Sequence, residues 1–370
     1  MAIELEINPI KSWLPNINNP LLISGPCSLE SEEQVLETAR QLVKDPRVFV
    51  FRGGVWKPRT RPGSFEGVGS IGLKWLIQVK KETGLPVGTE VANAQHAEEA
   101  IKEGLDMIWI GARSTASPFV VQEIANVVKG TDVVVMVKNP VNPDAQLWIG
   151  AFERLNRAGI KNLVGIHRGF TPFRETKYRN YPNWTTVIEL KRTLPNLPII
   201  CDPSHIAGKR EYLYEISQKA FDMGFDGFMF ESHYDPSCAL SDKEQQVTPA
   251  ELAKILDKLV IRSPNIENKE FENKLEQLRS RIDALDSELL ETLSSRMEIS
   301  RQIGIYKKEN NVTALQINRW TELMNNRIKL AEKLKMDKTF VQILFQLIHE
   351  DSVRMQTEIM ANYEKNNAEA

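Results

Sequence analysis

Short apolar runs recur through the first two thirds of the chain: LLISGPC (21–27), VFVFRGG (48–54), PVGTEV (86–91), MIWIGA (107–112), VVVMVK (133–138), NLVGIHR (162–168), PIICDPSH (198–205) and GFMFESH (227–233). Each is too continuous for a strand with one wet face and too short for a helix. Parallel strands buried on both faces read this way. Between most of them lie helical patterns, such as SEEQVLETARQLVK, with Ser31 as its cap, and AEEAIKEG. Eight strands alternating with helices over about 240 residues predict a TIM (β/α)8 barrel. By pattern alone, an open doubly wound sheet is the alternative.

The period changes after Phe271. Leu275, Leu278, Ile282, Leu285 and Leu289 follow alternating steps of three and four, which is a heptad seam. One helix from about 270 to 308 measures ~58 Å at the α-helical rise per residue. A helix longer than the globular norm must pack along another long helix, most simply one from a second chain. Two shorter helices are expected at 317–333 and 338–361. Composition marks the boundary: all 19 prolines and 19 of the 20 glycines precede Asn265. Charge does not, with 31 basic against 31 acidic residues before it and 16 against 18 after. The expected organisation is a barrel over 1–262, a linker at 263–269, an all-α domain over 270–362 and a disordered tail at 363–370.

A net charge of −2 and no basic stripe argue against nucleic acid. No apolar run approaches the ~20 residues that span a bilayer, and MAIELEINPIKSW has neither a signal-peptide core nor an Arg-rich transit face. Three scattered cysteines (Cys27, Cys201 and Cys238) suit a reducing cytoplasm better than a disulfide framework.

The candidate chemistry sits where the strands end. In order the tails carry Cys27, Arg52, Glu90, Arg113, Lys138, His167 with Arg168, Asp202 with His205, and Glu231 with His233. In a barrel these ends converge on the face that carries active sites. One such residue alone reads as a solvated loop charge; the set does not. Arg52, Lys57, Arg59, Arg113, Lys138 and Arg168 are cations whose forks and points match phosphate and carboxylate oxygens, so the substrate is expected to be highly anionic, with more than one phosphate. Cys27, His205, Glu231 and Asp242 form a mixed donor set for a divalent transition ion, which would act as a Lewis acid on a carbonyl oxygen. By spacing, His233 can stand in for His205 and Asp235 for Asp242. Cys201 reads as core, and Cys238 has no obvious partner.

In the helical part, Arg296 and Lys307 are eleven positions apart, about three turns plus 20°, and share a face. Arg279 lies roughly 100° off that face, so it is better placed to reach a partner's pocket than its own. Ser352 and Gln356 share a face of the last helix. A dimerising coiled coil is the plain reading of this pattern.

The motifs SGPCS, FRGGVWKPRT, GARS, HRGF, CDPSH and ESH…ALSD together resemble 3-deoxy-D-arabino-heptulosonate 7-phosphate (DAHP) synthase, in its short microbial type I beta branch, over about residues 15–260. The resemblance implies condensation of phosphoenolpyruvate with erythrose 4-phosphate, the first step of the shikimate pathway. It implies one divalent ion per barrel, Mn2+ first and Fe2+, Co2+ or Zn2+ as alternatives, held by Cys27, His205, Glu231 and Asp242. It assigns phosphoenolpyruvate to Arg52, Lys57, Arg113, Lys138 and Arg168, with Lys57 catalytic, and the sugar phosphate to Arg59 and Thr60. Three positions depart from the family pattern: Arg61 after KPRT, Asn139-Pro140 after the fifth-strand lysine, and His167 before Arg168. The sister enzymes that use arabinose 5-phosphate replace the KPRT turn, so its presence favours the four-carbon sugar.

LRSRIDALDSELLETLSSRMEISRQIGIYK and FQLIHEDSVRMQ resemble the all-helical chorismate mutase, an intertwined dimer, over about 270–360. This resemblance implies chorismate binding by Arg279, Arg296, Lys307, Arg319, Ser352 and Gln356, with Arg296, Lys307 and Gln356 catalytic and Arg279 entering the other subunit's site. Gln316 and Trp320 stand where the family has two acids. The combined expectation is a bifunctional cytoplasmic enzyme, a homodimer through its helical domain, with prephenate or chorismate as a feedback inhibitor. The alternative is a DAHP synthase with a non-catalytic helical dimerisation and ligand-sensing domain.

Overall fold

The computed structural model describes residues 2–17, 20–58, 63–172, 175–262 and 269–368. The chain divides into two units, Met1–Pro264 and Asn265–Ala370. The expected linker lies outside the described residues except for its last residue. Of the expected tail, residues to 368 belong to the last helix, and 369–370 lie outside the described residues.

The first unit is a closed parallel barrel of eight strands in chain order: β1 (Leu21–Gly25), β2 (Val50–Arg52), β3 (Val87–Val91), β4 (Met107–Ile110), β5 (Val134–Lys138), β6 (Leu163–His167), β7 (Ile199–Cys201) and β8 (Gly227–Glu231). All eight apolar runs are strands, and the doubly wound alternative is excluded by the pairing of β1 with β8, Leu21 opposite Gly227 through Gly25 opposite Glu231. Helices occupy the crossovers. Ser31 caps Glu32–Leu42 by accepting from the Gln34 amide, as its position before the apolar pattern predicts.

Strand alternation sorts the side chains into two cores. Ile23, Val50, Met107, Trp109, Met136, Val164, Ile166, Ile200 and Met229 fill the barrel interior. Leu22, Phe51, Ile108, Ile110, Val135, Val137, Leu163, Ile199, Phe228 and Phe230 pack outward under the helices. The short helix Ile10–Trp13 and the residues after it supply Trp13, Leu14 and Ile17 to the interior cluster.

Barrel closure depends on a missing side chain. A Cβ on Gly227 would stand 2.0 Å from the backbone oxygen of Leu21. Backbone cannot swing aside as a side chain can, and overpacking of this kind typically costs about 1–3 kcal/mol or more. Gly227→Ala is therefore expected to lower the melting temperature of the barrel by about 5–10 °C. A scanning-calorimetry transition within 1–2 °C of the parent would count against a tight β1–β8 seam.

The second unit has helices Lys269–Glu309, Ile317–Lys333 and Lys338–Ala368, the third packing against both others. Leu278, Ile282, Leu285 and Leu289 are between 47% and 59% exposed, so the heptad seam is not covered within its own unit. Among the described residues no helix is long and apolar enough to cross a membrane.

Candidate active sites at the barrel mouth and in the helical unit

The alternation that fills the barrel also builds its mouth. Two residues beyond Val50 is Arg52; two beyond Met136, Ile166, Ile200 and Met229 are Lys138, Arg168, Asp202 and Glu231; Cys27 continues the parity of Ile23. His167 has the opposite parity. It lies outside the barrel, fully buried, with ring centroids of Phe170, Trp184 and Phe225 at 5.8, 5.1 and 6.0 Å. Burial pulls its pKa down to about 3, so it is a neutral core residue.

Donor atoms of Cys27, Glu231 and Asp242 lie within 4.8 Å of one another. Cys27 Sγ donates to Asp242 Oδ2 at 3.3 Å, and His205 Nε2 stands 3.7 Å from Glu231 Oε1. His205 Nδ1 lies 2.7 Å from Asp202 Oδ2, which turns the other ring nitrogen toward Glu231. Asp242 is a non-glycine residue at φ 46°, the sparsely used left-handed region, at the point where its carboxylate meets Cys27. His233 instead directs Nε2 toward Glu30 at 3.8 Å, and Asp235 accepts from Ser237; neither these two nor His205 is among the three clustered donors.

Burial, then the Glu231 and Asp242 charges, push the Cys27 thiol up to about 12. Burial works against ionised Glu231 too, yet His205, Arg52 and Lys57 hold its carboxyl below the usual range. A buried thiol and two carboxylates this close are stable as anions only beside strong positive charge. A divalent cation would supply it and hold the thiol as thiolate, so the donor set fits such an ion.

The cations crowd the same place. Arg52, fully buried, donates from Nη1 to Glu231 Oε1 at 2.9 Å and from Nη2 to the Cys27 carbonyl at 3.3 Å, with Cζ 5.0 Å above the Trp109 ring. Lys57 Nζ donates to Cys27 Sγ at 2.9 Å; burial opposes its charge, but Cys27 and Glu231 raise its pKa. Lys138 Nζ pairs with Glu90 at 3.2 Å and lies 3.6 Å from Asp202. Burial would raise the Glu90 carboxyl, yet Lys138 and Lys57 bring it down to about 2. Arg168 donates its backbone N–H to Asn139 Oδ1 at 2.7 Å and its Nη1 to Asn180 Oδ1 at 3.0 Å. Arg113 follows β4 on the short helix Ala112–Thr115, and its charge reaches Arg168. Arg59 and Thr60 lie outside the described residues.

Strand-tail reasoning missed several supports. Arg179 Nη1 pairs with Asp242 Oδ1 at 3.0 Å, Gln245 Nε2 donates to Glu231 Oε2 at 2.6 Å, and Gln246 Oε1 accepts from the Cys27 amide at 2.9 Å. All three lie in loops, where no periodicity points inward. Asn139 was visible only as a departure from the family pattern. Its amide donates to the Pro140 and Gly169 carbonyls at 2.8 Å each, so it ties the end of β5 to the Arg168 turn.

The helical unit encloses a cavity of about 450 Å³ lined by Arg296, Lys307, Arg319, Ser352 and Gln356, together with Gln316, Trp320 and His349. Arg296 Nη1 donates to Ser352 Oγ at 2.8 Å; Lys307 Nζ donates to the Ala314 carbonyl at 2.6 Å and to Gln356 Oε1 at 3.3 Å. Gln356 Nε2 donates to Ser300 Oγ at 3.1 Å, which orients its carbonyl toward Lys307. Arg279 does not line this cavity; it lies 3.7 Å from Glu276 on its own helix. His349 was missed, although it is i−3 and i−7 from Ser352 and Gln356 and so shares their face.

Residues 16–264 match the model of the DAHP synthetase I family, and residues 278–357 match that of chorismate mutase type II. A phospho-2-dehydro-3-deoxyheptonate aldolase of Thermotoga maritima is 32% identical over 226 residues, 61% of this chain and 64% of that protein, so the match spans somewhat less than two thirds of that relative's length. A 2-dehydro-3-deoxyphosphooctonate aldolase of Desulfotalea psychrophila is 30% identical over 263 residues, covering 65% of this chain and 88% of the relative. The crystal structure of the Thermotoga maritima DAHP synthase superposes with a TM-score of 0.61 at 28% identity, covering 68% of this chain and 72% of that one. A truncated form of 3-deoxy-D-arabino-heptulosonate 7-phosphate synthase from Thermotoga maritima gives 0.56 at 26% identity, covering 65% and 85%. The strand-end chemistry, the closed barrel and the family match over 16–264 agree: this chain belongs to the DAHP synthetase I family and carries, later in its sequence, a region that matches chorismate mutase type II.

Proposed function

We propose that the chain is a bifunctional enzyme that condenses phosphoenolpyruvate with erythrose 4-phosphate to DAHP and phosphate, and rearranges chorismate to prephenate. The observation that carries the first activity is the juxtaposition of the Cys27, Glu231 and Asp242 donor atoms, within 4.8 Å, with buried Arg52 and Lys57. Arg52, Lys57, Arg113, Lys138 and Arg168 hold the phosphate and carboxylate of phosphoenolpyruvate, presenting its methylene carbon to the aldehyde. Arg59 and Thr60 hold the sugar phosphate. A divalent ion held by Cys27, His205, Glu231 and Asp242, Mn2+ in our reading, supplies Lewis-acid polarisation of the aldehyde oxygen when bound. The methylene carbon attacks the aldehyde carbon, water adds at the enol carbon, and phosphate leaves by C–O cleavage. Lys57, kept protonated, faces the oxygen on which negative charge develops, and the arginines neutralise the departing phosphate.

Exhaustive chelation with EDTA is expected to abolish condensation, and Mn2+ to restore it; full turnover in metal-free protein would refute the ligand assignment. The second reading is condensation with arabinose 5-phosphate, favoured by relatives whose names specify a phosphooctonate product. Running the assay with each aldehyde decides between them: we expect turnover with erythrose 4-phosphate and none with the pentose.

For the second activity, Arg296 and Arg319 hold the carboxylates of chorismate, helped by Arg279 from a second copy of the chain. The exposed heptad seam supports a homodimer in which the long helices cover one another. Lys307 donates to the ether oxygen as charge builds on it, and Gln356 contacts the same oxygen. Prephenate formation by the intact chain separates this reading from a non-catalytic sensing domain. The condensation assay with prephenate or chorismate added reads the feedback expected of such a fusion. The free Cys27 thiol suits a reducing, cytoplasmic setting.

A further inference from the structure

Trp320 and His349 face each other across the helical cavity's wall, rings 4.0 Å apart and 17° from parallel. We propose that His349, stacked on Trp320, takes up a proton when a dicarboxylate enters among Arg296, Lys307 and Arg319, so that binding strengthens as pH falls. The proposal rests on reading this cavity as the chorismate site.

Three observations meet here. First, no carboxylate is among the residues that line the cavity; where the resemblance places two acids stand Gln316, the N-cap of the second helix, and Trp320 in its first turn. The cavity is therefore rich in cations and offers a ligand hydroxyl only neutral acceptors. Second, His349 Nε2 is buried and has no hydrogen-bond partner among the described residues. An unpaired buried ring nitrogen costs free energy that a ligand oxygen removes, whether Nε2 accepts from a hydroxyl or, once protonated, donates to a carboxylate. Third, an imidazolium gains on an indole face what a neutral ring does not.

The charges around His349 set the sign. Arg296 and Lys307 approach from the first helix. Arg319 lines the cavity from the second, paired with Glu322 at 2.7 Å, and Arg327 of the same helix acts on Arg296. Glu350 sits beside His349 on the third. Burial first, then Arg296 and Lys307, hold the imidazole pKa below its ordinary value in the free chain, with Glu350 opposing. A dianion bound between those cations cancels their repulsion and raises the pKa. Proton uptake and ligand binding are then linked reciprocally: each favours the other. Affinity falls as pH rises through the bound-state pKa, by at most about tenfold per unit for one proton.

The test is titration calorimetry of the intact chain with prephenate near neutral pH, in phosphate and in Tris, whose ionisation heats differ. We expect buffer-dependent heats that correspond to as much as one proton taken up per site. His349→Gln should show no uptake and a flat pH dependence of affinity. Binding without buffer-dependent heat, or equal uptake by parent and variant, overturns the role of His349 while leaving the cavity a dicarboxylate site. Absence of prephenate binding at every pH overturns both. Should His349→Gln fail to fold, ring NMR of the parent decides: one of its five histidines must titrate at higher pH with prephenate than without, and no such change refutes the proposal.

Discussion

Cys27→Ala is expected to lower condensation turnover at least about a thousandfold, because Lewis-acid stabilisation supplies several kcal/mol and each 1.4 kcal/mol is a factor of ten. The thiol is the one soft donor in the group, fully buried, 3.3 Å from Asp242 and 2.9 Å from the Lys57 ammonium. In the proposed site, removing it would leave Glu231 and Asp242 to gather the ion with His205 alone. It also frees Lys57 from its closest anion-forming partner, so that the ammonium drifts toward the carboxylates and competes for the same space. Stability should change little, since the loss is one sulfur atom and the Cys27 amide and carbonyl keep their bonds to Gln246, Arg52 and Lys57. Elemental analysis then separates two failures. Loss of bound metal together with loss of turnover, while prephenate formation by the same preparation persists, identifies Cys27 as a ligand. Stoichiometric metal and turnover within a few fold of the parent would remove Cys27 from the ion's shell.

The barrel was legible because burial on both faces leaves a signature that needs no partner information: short continuous apolar runs, each ended by a charged or ligating residue. The mouth was legible for a related reason. Val50 and Arg52, Met136 and Lys138, Ile166 and Arg168 are period-two pairs, so the residue that fills the interior also fixes the direction of the charge beyond it. His167 shows the limit of reading tails without parity, since it sits beside Arg168 in sequence and on the opposite side of the strand. The choice of His205 over His233 was not available from spacing. What supports it is Asp202, which caps the short helix Pro203–Ala207 by accepting from the His205 amide and also lies against the ring. Arg179, Gln245 and Gln246 stayed hidden because loop residues carry no period. In the helical unit the seam and the Arg296–Lys307 face were plain, but His349 sat one turn before Ser352 without drawing notice, because a lone histidine on a helix reads as nothing in particular until its stacking partner is known.

Lys307→Ala is the matching experiment for the second activity, and we expect kcat for prephenate formation to fall by about 100- to 1000-fold, the range seen when one donor to a developing oxyanion is removed. The rearrangement is pericyclic and needs no nucleophile, so the groups that matter are those whose bonds strengthen as charge moves onto the ether oxygen. Lys307 is held from two sides: the Ala314 carbonyl fixes its ammonium at 2.6 Å, and Gln356, itself tied to Ser300, stands at 3.3 Å. A donor that acts only in the transition state changes kcat while KM moves little; Arg296, proposed to grip a ground-state carboxylate, should do the reverse when shortened to lysine. The pH profile gives an independent reading. Burial lowers the Lys307 pKa from its ordinary value, so the parent should lose turnover on the alkaline side at a pH below that of a free lysine, and the loss should vanish from the profile of the variant's residual activity. If Lys307→Ala instead raised KM at constant kcat, the ammonium would be a ground-state holder. If it left both within twofold, the cavity would belong to the sensing module of the alternative reading, with catalysis absent from the helical unit.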